Sequence, residues 1–596
     1  MDIQKVIDGL DKLFADRQIE KVEDYLSVHL EQALNEGDVG SAITIINELI
    51  GFYRDTSQYG KAEAYCEKLL PFMEKAGLTG TVHYGTSCLN IANAYRAAGR
   101  LEESMKHYRM VFDVYEKVLD KKDFRYASLN NNLSLLYQEM GDFEKACEAL
   151  EQALLIVKEY PAAVIELAVT YTNLAASYNK AGKMELAREA VVKGLAIFEE
   201  GRTDDYHYSA ALSVAGDVYY ADGEYKKAVE CYEQAMLALR RHVGLTHAYF
   251  RILANLQTGY EALGELEALK GLTMARAYYE KFGKAVFDGL KKDMQKEASE
   301  SEEDCDFTIA KVGEGSDCFG FDDILSRDHD FGPGFGVFVT RKQYEQYGTR
   351  LEQAYDSMPE TFRGFTKPEP LKDMPRNGVI VLEDFYSRIL NLSDEELQYL
   401  LEHHTLPEST WLKVEDWQLK TVTNGEIFEG GQAVFGSIYT NLKKGYSERV
   451  WKRKLAQKLG EICQEGQYNY KRLMQRGDVY GAALILHSFE EHVVELLYLL
   501  NHVYAPHKKW MLYEAETLPL GGEILERVKQ LIGMIPDLST YEKRDCIDWI
   551  GTTNKEDELQ TTIDYIAELI VQQLLDMKLT ERKDIYLEEH ISYILR

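Results

Sequence analysis

The ten residues Tyr137–Ala146, YQEMGDFEKA, decide the fold of the first half of the chain because their pattern recurs. A tyrosine opens each copy, and successive tyrosines are 41 or 42 residues apart, at Tyr53, Tyr95, Tyr137, Tyr178, Tyr219 and Tyr260. Five copies place a glycine four residues after the tyrosine, and the first copy has Ser57 there. Glycine readily adopts the positive φ that ends one helix before the next begins. The repeat therefore predicts an array of helical hairpins.

Small residues accompany the repeat three positions before the tyrosine and nine positions after it, as in Ala175 and Ala187 around Tyr178. This arrangement resembles the tetratricopeptide repeat, whose usual period is about 34 residues. The longer period resembles that of kinesin light chains and related peptide-binding proteins, and it implies about two additional helical turns per repeat. A HEAT-type array has a similar period but does not predict the Tyr-x-x-x-Gly register. We therefore expect residues 1–285 to form an all-α tetratricopeptide superhelix.

An asparagine recurs five residues before the tyrosine, at Asn90, Asn132, Asn173 and Asn255. In the proteins that the repeats resemble, this position lies on the inner helix and faces the concave groove. An amide there can bond both the donor and the acceptor of an extended peptide, so these residues are candidate contacts for a protein or peptide partner. Alternatively, the amides bond neighbouring helices and bind no partner.

Composition excludes several classes of protein. The chain has 596 residues and a formal net charge of −31, so it is too long for one hydrophobic core and too acidic for general nucleic-acid binding. Its eight cysteines include no C-x-x-C pair, which is typical of reduced thiols. The sequence has no stretch typical of a signal peptide and no run of 18 apolar residues. We expect a cytoplasmic protein without a membrane segment.

A polar, acidic stretch, KKDMQKEASESEEDCD, separates the repeats from a different second half, and we assign residues 286–306 to a linker. Short runs that begin at Phe307, Gly334 and Asn377 have the composition of strands. From residue 446 onward, apolar residues follow the i, i+3/i+4 spacing of helices. The sequence thus predicts a multidomain protein, with an α/β (α+β) core at residues 307–445 and a helical bundle at residues 446–596.

Candidate chemistry lies in residues 311–339, KVGEGSDCFGFDDILSRDHDFGPGFGVFV. Gly315 and Ser316 follow a predicted strand, where a turn presents backbone N–H groups and a hydroxyl to phosphate oxygens. Asp328 and Asp330 alternate at the start of the next predicted strand, so both carboxylates point to one face and can share a divalent cation. Arg327 can pair with a phosphate or with either aspartate.

This arrangement resembles the Gly-Ser and Asp-x-Asp motif of the nucleotidyltransferase fold of DNA polymerase β, poly(A) polymerases and aminoglycoside nucleotidyltransferases. A wider resemblance, to an uncharacterised bacterial family of nucleotidyltransferase-like domains, lies in six blocks that include this motif: GEGSDCFGFDD, SRDHDFGPGF, NGVIVLEDFY, TNGEIF, GQYNYKRLMQRGD and LLNHVYAPHKKW. In that family, tetratricopeptide repeats often precede the domain. The resemblance implies a metal-dependent enzyme that uses a nucleoside triphosphate, with ATP as the expected nucleotide and Mg²⁺ or Mn²⁺ as the ion.

The resemblance also implies residue roles. It assigns catalysis and metal binding to Asp328 and Asp330, and nucleotide binding to Gly315, Ser316 and Arg327. The fold's enzymes commonly have a third metal-binding carboxylate on a later strand. We assign that role to Glu383, with Asp384 and Glu415 as alternatives.

Three functions follow as hypotheses. The leading one is a nucleotidyltransferase that moves a nucleoside monophosphate from the triphosphate to a hydroxyl of an unknown acceptor, with the repeats recruiting a partner. The second is a non-catalytic interaction scaffold, in which Asp328 and Asp330 are turn and strand-start residues of a degenerate domain. The third is an adenylyltransferase of the antibiotic-modifying type, which acts on a small molecule.

Overall fold

The computed structural model describes residues 1–16, 18–205, 207–243, 246–298, 306–323, 326–327, 331–369, 375–536 and 557–596. They form two compact units, Met1–Leu266 and Glu267–Arg596. The boundary therefore lies earlier than the predicted one, because residues 267–285 belong to the second unit and not to the repeats. Tyr278 and Tyr279 explain the difference, since both are buried against Phe335 in the core of the second unit.

The first unit is built from helices. Two of them, α1 (Ile3–Ala15) and α2 (Val22–Asn35), precede the repeats. The repeat helices are 15 to 19 residues long, and they are α3 (Val39–Asp55), α4 (Tyr59–Lys75), α5 (Val82–Ala97), α6 (Leu101–Val118), α7 (Phe124–Glu139), α8 (Phe143–Val157), α9 (Val164–Lys180), α10 (Met184–Glu199), α11 (His207–Ala221), α12 (Tyr225–Val243) and α13 (His247–Ala262).

The turn inside each repeat has the backbone conformation that the sequence predicts. Ser57 has a φ of 59°, and the equivalent glycines have φ values between 72° and 77°, at Gly99, Gly141, Gly182, Gly223 and Gly264. This left-handed conformation ends the first helix of each pair; Gly141, for example, lies between α7 and α8. The predicted helical hairpins are therefore confirmed.

The small residues of the repeat are a packing requirement. Ala175 on α9 and Ala187 on α10 are both fully buried. Gly216 shows the reason most clearly, because a Cβ atom at this position would lie 2.4 Å from a ring carbon of Tyr232. Interiors packed at this density leave no room for one additional methyl group.

The second unit contains a four-stranded mixed sheet in the order β5-β2-β1-β6. β1 (Thr308–Lys311) pairs antiparallel with β2 (Gly336–Val339) and with β6 (Glu426–Glu429), whereas β2 pairs parallel with β5 (Gly378–Val381). A separate hairpin contains β3 (Thr361–Phe362) and β4 (Phe365–Thr366). The three predicted strands are present, and β6 adds a fourth. The strands of the described residues are few and short, and by themselves they do not establish a nucleotidyltransferase fold.

Helices cover both faces of the sheet. Ile309 and Val337 face a core that includes residues of α14 (Gly271–Tyr278), α15 (Lys284–Ala298) and α17 (Arg341–Asp356). Ala310, Phe338 and Ile380 face the opposite core, which contains side chains from α18 (Leu382–Leu390), α19 (Asp394–His403), α20 (Glu408–Lys413), α21 (Asp416–Thr423) and α22 (Val434–Lys443). A short helix, α16 (Ser316–Phe319), follows β1.

The C-terminal helices form a further core around the long helix α25 (Val479–Leu500). Its other members are α23 (Glu448–Ile462), α24 (Lys471–Arg476), α26 (Lys508–Ala515), α27 (Gly522–Ile532), α28 (Glu558–Asp576) and α29 (Glu588–Ile594). The predicted division at residue 445 does not separate two compact units, because Tyr446 packs against both this core and the core beside the sheet. Among the described helices, none combines the length and apolar character needed to cross a bilayer.

Candidate functional site

A cavity of about 360 Å³ lies at the end of β1 in the second unit. Its lining includes both residues of the predicted phosphate-binding turn, Gly315 and Ser316. Polar and charged side chains make up most of the remaining wall, with Lys311, Glu314, Asp317, Ser326, Arg376, Asn377 and Lys509. The cavity lining thus contains two residues that the sequence predicts as a site, together with others that it does not single out.

The turn between β1 and α16 is fixed by a distant asparagine. The Asn424 side chain accepts a hydrogen bond from the Gly313 N–H at 2.9 Å and donates one to the Gly313 carbonyl at 2.7 Å. Gly425 donates its N–H to the Cys318 carbonyl at 2.9 Å. A Cβ atom on Gly425 would lie 1.9 Å from the Lys311 carbonyl oxygen, so this position requires glycine. The sequence block TNGEIF therefore shapes the cavity turn from β6.

Asp317 organises the inside of the turn. Its Oδ1 accepts the Cys318 N–H at 2.9 Å, and its Oδ2 lies 3.0 Å from the Lys311 Nζ. A Cβ atom on Gly315 would lie 2.2 Å from Oδ1, so glycine is required beside this carboxylate. Burial holds the pKa of the Cys318 thiol well above its ordinary value, which excludes a thiolate nucleophile here.

Lys311 forms the floor of the cavity and is only 4% exposed. Its ammonium donates to the Asn377 Oδ1 at 3.0 Å and pairs with Asp317. Burial acts to lower the pKa of Lys311, whereas the Asp317 carboxylate and Cys318 raise it, and the result lies above the ordinary value. The ammonium therefore remains charged at neutral pH.

Lys311 and Asn377 were not predicted as site residues. The alternation of side chains along β1 could have indicated Lys311, because Phe307, Ile309 and Lys311 occupy alternate positions that point to one face of the strand. Phe307 and Ile309 are buried in a hydrophobic core. A lysine at the third position of such a series needs a buried partner.

The rim of the cavity comes partly from α26. The Lys509 Nζ lies 4.1 Å from the centroid of the Trp510 ring, which is a cation–π contact. Trp510 also packs against Phe319 and Phe321, with ring centroids 4.7 and 5.3 Å away. The tryptophan therefore places an exposed ammonium beside the cavity. This cation was not predicted.

Two predicted residues lie elsewhere. Arg327 does not line the cavity: its buried guanidinium donates from Nε to the Asp322 carbonyl at 3.2 Å and lies 5.2 Å from the Phe331 ring centroid. Its assignment as a nucleotide contact stays a prediction. The Nε donor of Arg327 is thus directed at the loop itself.

Glu383 also lies apart from this cavity, and its assignment as a metal ligand stays a prediction. It lies in the first turn of α18, after the carboxyl end of β5, and accepts the Arg341 N–H at 2.9 Å. The cavity instead contains Asn377, immediately before the opposite end of β5. A strand of this length spans roughly 13 Å, so Glu383 does not join Gly315 and Ser316. Asp384 pairs with Arg341 at the same distant end.

Asp328 and Asp330 lie outside the described residues. Within the described ranges, no group of three His, Cys, Asp or Glu side chains is arranged to hold a metal ion. The two carboxylates at the cavity are already paired, Asp317 with Lys311 and Glu314 with Arg388 at 2.5 Å. These described residues therefore do not fit a magnesium site on their own.

The predicted asparagines of the repeats bond mainly to neighbouring helices. Asn90 donates to the Asn47 carbonyl at 2.9 Å, and Asn173 donates to the Asn131 side chain at 3.2 Å. Asn255 donates to Asp217, and Asn132 donates to the Ser128 carbonyl of its own helix. The amide N–H groups of Asn90, Asn173 and Asn255 thus bond neighbouring helices, as the second interpretation of these asparagines expects.

A groove of about 770 Å³ lies in the first unit, lined by residues of α1, α2, α3 and α5 and of the segments beside them. Asn47, Asn90 and Asn93 line it together with apolar side chains that include Leu10, Phe14, Leu26 and Ile43. Phe14 is 43% exposed, although phenylalanine is usually buried. The groove therefore combines amides with uncovered apolar surface.

Comparison with known proteins identifies parts of the chain. A family model for the tetratricopeptide repeat matches residues 81–159, 125–200 and 166–241. A second model, described as a domain of unknown function (DUF4037), matches residues 411–511. The chain therefore carries tetratricopeptide repeats, and the resemblance in the first half is confirmed. The second match includes Lys509 and Trp510 of the cavity lining, and also Asn424 and Gly425, which bond the adjacent turn.

Two curated relatives are similar to part of the chain. The chain is 25% identical over 257 residues to lipopolysaccharide assembly protein B of Escherichia coli strain K12, covering 43% of this chain and 57% of that protein. It is 22% identical over 231 residues to protein KINESIN LIGHT CHAIN-RELATED 3 of Arabidopsis thaliana, covering 38% of this chain and 36% of that protein. The chain thus spans about half or less of the length of these relatives.

Two solved structures are also similar. The crystal structure of BtubC from P. vanneervenii is 21% identical with a TM-score of 0.32, and the match covers 39% of this chain and 93% of that chain. The crystal structure of NprR in complex with its cognate peptide NprX is 17% identical with a TM-score of 0.35, and the match covers 44% and 74%.

Proposed function

We propose that the second unit binds a nucleoside triphosphate, with ATP expected, in the cavity beside Gly315 and Ser316. It would then transfer the nucleoside monophosphate to a hydroxyl of an acceptor. The observation that carries this proposal is the cavity itself, where the predicted turn lies beside Lys311, Arg376 and Lys509. In a chain with a net charge of −31, three cations around one cavity favour an anionic ligand.

Mg²⁺ or Mn²⁺ belongs to the proposal through Asp328 and Asp330, which the nucleotidyltransferase resemblance implies as ligands. Such ions supply positive charge to a triphosphate and to its leaving group. The described cavity residues would not bind the metal ion in this proposal. Their polar groups would hold the turn, and their cations would contact the ligand.

The repeats would recruit a protein or peptide partner. Tetratricopeptide repeats commonly bind such partners, and the groove that contains Asn90 supports this role by placing amides beside exposed apolar side chains such as Phe14. An extended segment with apolar side chains would gain main-chain hydrogen bonds and apolar burial in this groove.

A non-catalytic scaffold is the second candidate, and a specific observation favours it. Glu383 lies at the far end of β5, and the carboxylates beside the turn are paired with Lys311 and Arg388. A domain that has lost one metal-binding carboxylate could still bind a ligand without catalysing transfer.

The test uses the full chain with each labelled nucleoside triphosphate, Mg²⁺ and cell extract as a source of acceptor. We expect transfer of label and release of pyrophosphate. Asp330→Asn and Asp328→Asn should each reduce turnover by a factor on the order of 10² or more while changing nucleotide affinity less. Asp356→Asn, an exposed aspartate at the end of α17, is the matched control. Unchanged turnover in the Asp328 and Asp330 variants would refute catalysis by this pair, and nucleotide binding without transfer would favour the scaffold.

A further inference from the structure

Lys311 is an unusual residue for the end of a core strand. Its side chain is 4% exposed, and that of its carboxylate partner Asp317 is 6% exposed. Removing two charges from water costs several kcal/mol per ion, and a buried pair often returns less than this cost. Burial of this pair therefore points to a use for the ammonium.

The contacts of the Lys311 ammonium place it beside the cavity. Asp317 and Asn377, the two side chains that hold the Lys311 Nζ at 3.0 Å each, also line the cavity. An ammonium has three N–H donors, and these two contacts engage two of them among the described residues. The third donor is left for a ligand in the cavity.

The second partner of the Lys311 ammonium is the neutral amide of Asn377, which affects the net charge of the site. Asn377 accepts a hydrogen bond without adding a negative charge, whereas a carboxylate at this position would neutralise the cation further. Gly334 makes room for the amide, because a Cβ atom there would lie 2.4 Å from the Asn377 Oδ1. Asn377 therefore helps to fix the ammonium without adding to the negative charge of Asp317.

We propose that Lys311 is a built-in cation that binds the polyphosphate of the ligand directly, so that the cavity holds a polyphosphate without a divalent metal ion. This inference rests on the proposed function, because it takes the cavity as the site of a triphosphate. Arg376 and Lys509 line the same cavity and would add charge around the phosphate chain. Ligand phosphate oxygens accept charged N–H donors in short, strong hydrogen bonds.

The experiment measures binding of inorganic pyrophosphate to the full chain by calorimetry in the presence of EDTA. The decisive variant is Lys311→Met combined with Asp317→Asn, because it removes the buried charge pair together and leaves no unpaired carboxylate. Its net charge equals that of the parent, so a loss of binding does not arise from a change in overall charge. We expect its dissociation constant to rise about tenfold or more, as loss of a charged hydrogen bond commonly costs.

Lys367→Met is the matched control. The Lys367 ammonium is also partly buried and donates to the Tyr355 carbonyl at 2.9 Å, but Lys367 does not line the cavity. This variant should bind pyrophosphate like the parent. Equal binding by the parent and the double variant would overturn the inference.

A second variant keeps the test decisive if the double variant does not fold. Asn377→Asp retains Lys311 but places a second carboxylate against it, so pyrophosphate should bind at least several times more weakly. Parent-like binding would overturn the inference. If the parent binds ATP with Mg²⁺ but no pyrophosphate in EDTA, the inference fails while the proposed function stands. If the parent binds neither, both fail.

Discussion

Asn424 holds both backbone polar groups of Gly313, although the two residues are 111 positions apart. All the groups involved are buried, so each would lack a partner if the amide were removed. This one side chain therefore connects β6 to the turn that shapes the cavity.

Asn424→Ala should destabilise the second unit by about 2–4 kcal/mol, because two buried backbone groups lose their hydrogen bonds. Urea unfolding followed by a probe of the second unit, such as tryptophan fluorescence, measures the change. Asn441→Ala is the control, since its side chain donates one partly buried bond, to the His404 carbonyl at 3.2 Å. Comparable losses in the two variants would contradict the role given to Asn424.

Gly216→Ala should destabilise the repeats by about 1–3 kcal/mol, because the new methyl group would overlap the Tyr232 ring. Gly60→Ala in α4 should be neutral or stabilising, since its Cβ atom would meet nothing within 4 Å and alanine favours a helix. Thermal unfolding of both variants tests the contrast. A Gly216→Ala variant as stable as the parent would show that Tyr232 moves aside at no cost.

Asn90→Ala should destabilise the first unit by about 1 kcal/mol, because its amide donates to both the carbonyl and the side chain of Asn47 on the neighbouring inner helix. Asn132→Ala should have a smaller effect, because its amide donates to the Ser128 carbonyl one turn earlier in the same helix. Chemical unfolding of the two variants decides the point. The reverse order would mean that the bond between helices contributes little.

His492 predicts a pH dependence of stability. Its Nδ1 lies 2.8 Å from the Glu465 Oε2, and Glu461 lies on its other side at 3.7 Å. Burial and Lys458 act to lower the pKa of His492, whereas Glu465 and Glu461 raise it, and the result lies above the ordinary value. Since the folded pKa is raised, the stabilisation is complete at pH below the unfolded pKa and is lost as pH rises through the folded pKa.

The free energy of unfolding of the parent, relative to His492→Asn, should therefore fall between about pH 6 and pH 8. Glu465→Gln should remove most of this dependence, because the main carboxylate partner is then neutral. Unfolding curves at several pH values provide the measurement. A parent and a His492→Asn variant that differ by a constant amount across this range would refute the prediction.

The sequence was sufficient for the repeats because each of their signals is local. The turn at Gly141 depends on one backbone position, and even Ser57 shares its left-handed conformation. The small residues beside the tyrosines likewise act within one helical hairpin. A regular spacing of such positions therefore predicts the fold without any long-range information.

The cavity was only partly predictable, because its residues meet through the sheet. Gly315 and Ser316 form a contiguous motif and were found, whereas Lys311 and Asn377 are 66 positions apart and meet only when β1, β2 and β5 align. Glu383 lies apart from this cavity for a related reason. A motif shows that an acid follows a strand, but the direction of the strand decides which end of the sheet the acid occupies.

The pairing of β6 with β1 also bears on how the protein can be divided. The segment at residues 411–511 that matches the domain of unknown function contains β6 but not its partner strand. Expressed alone, this segment would expose the edge of β6 and leave Asn424 without its partner Gly313. An unpaired strand edge in water tends to associate with other chains. A fragment that begins at Glu267 retains both strands and the whole cavity lining, and it is the shorter piece suited to biochemical work.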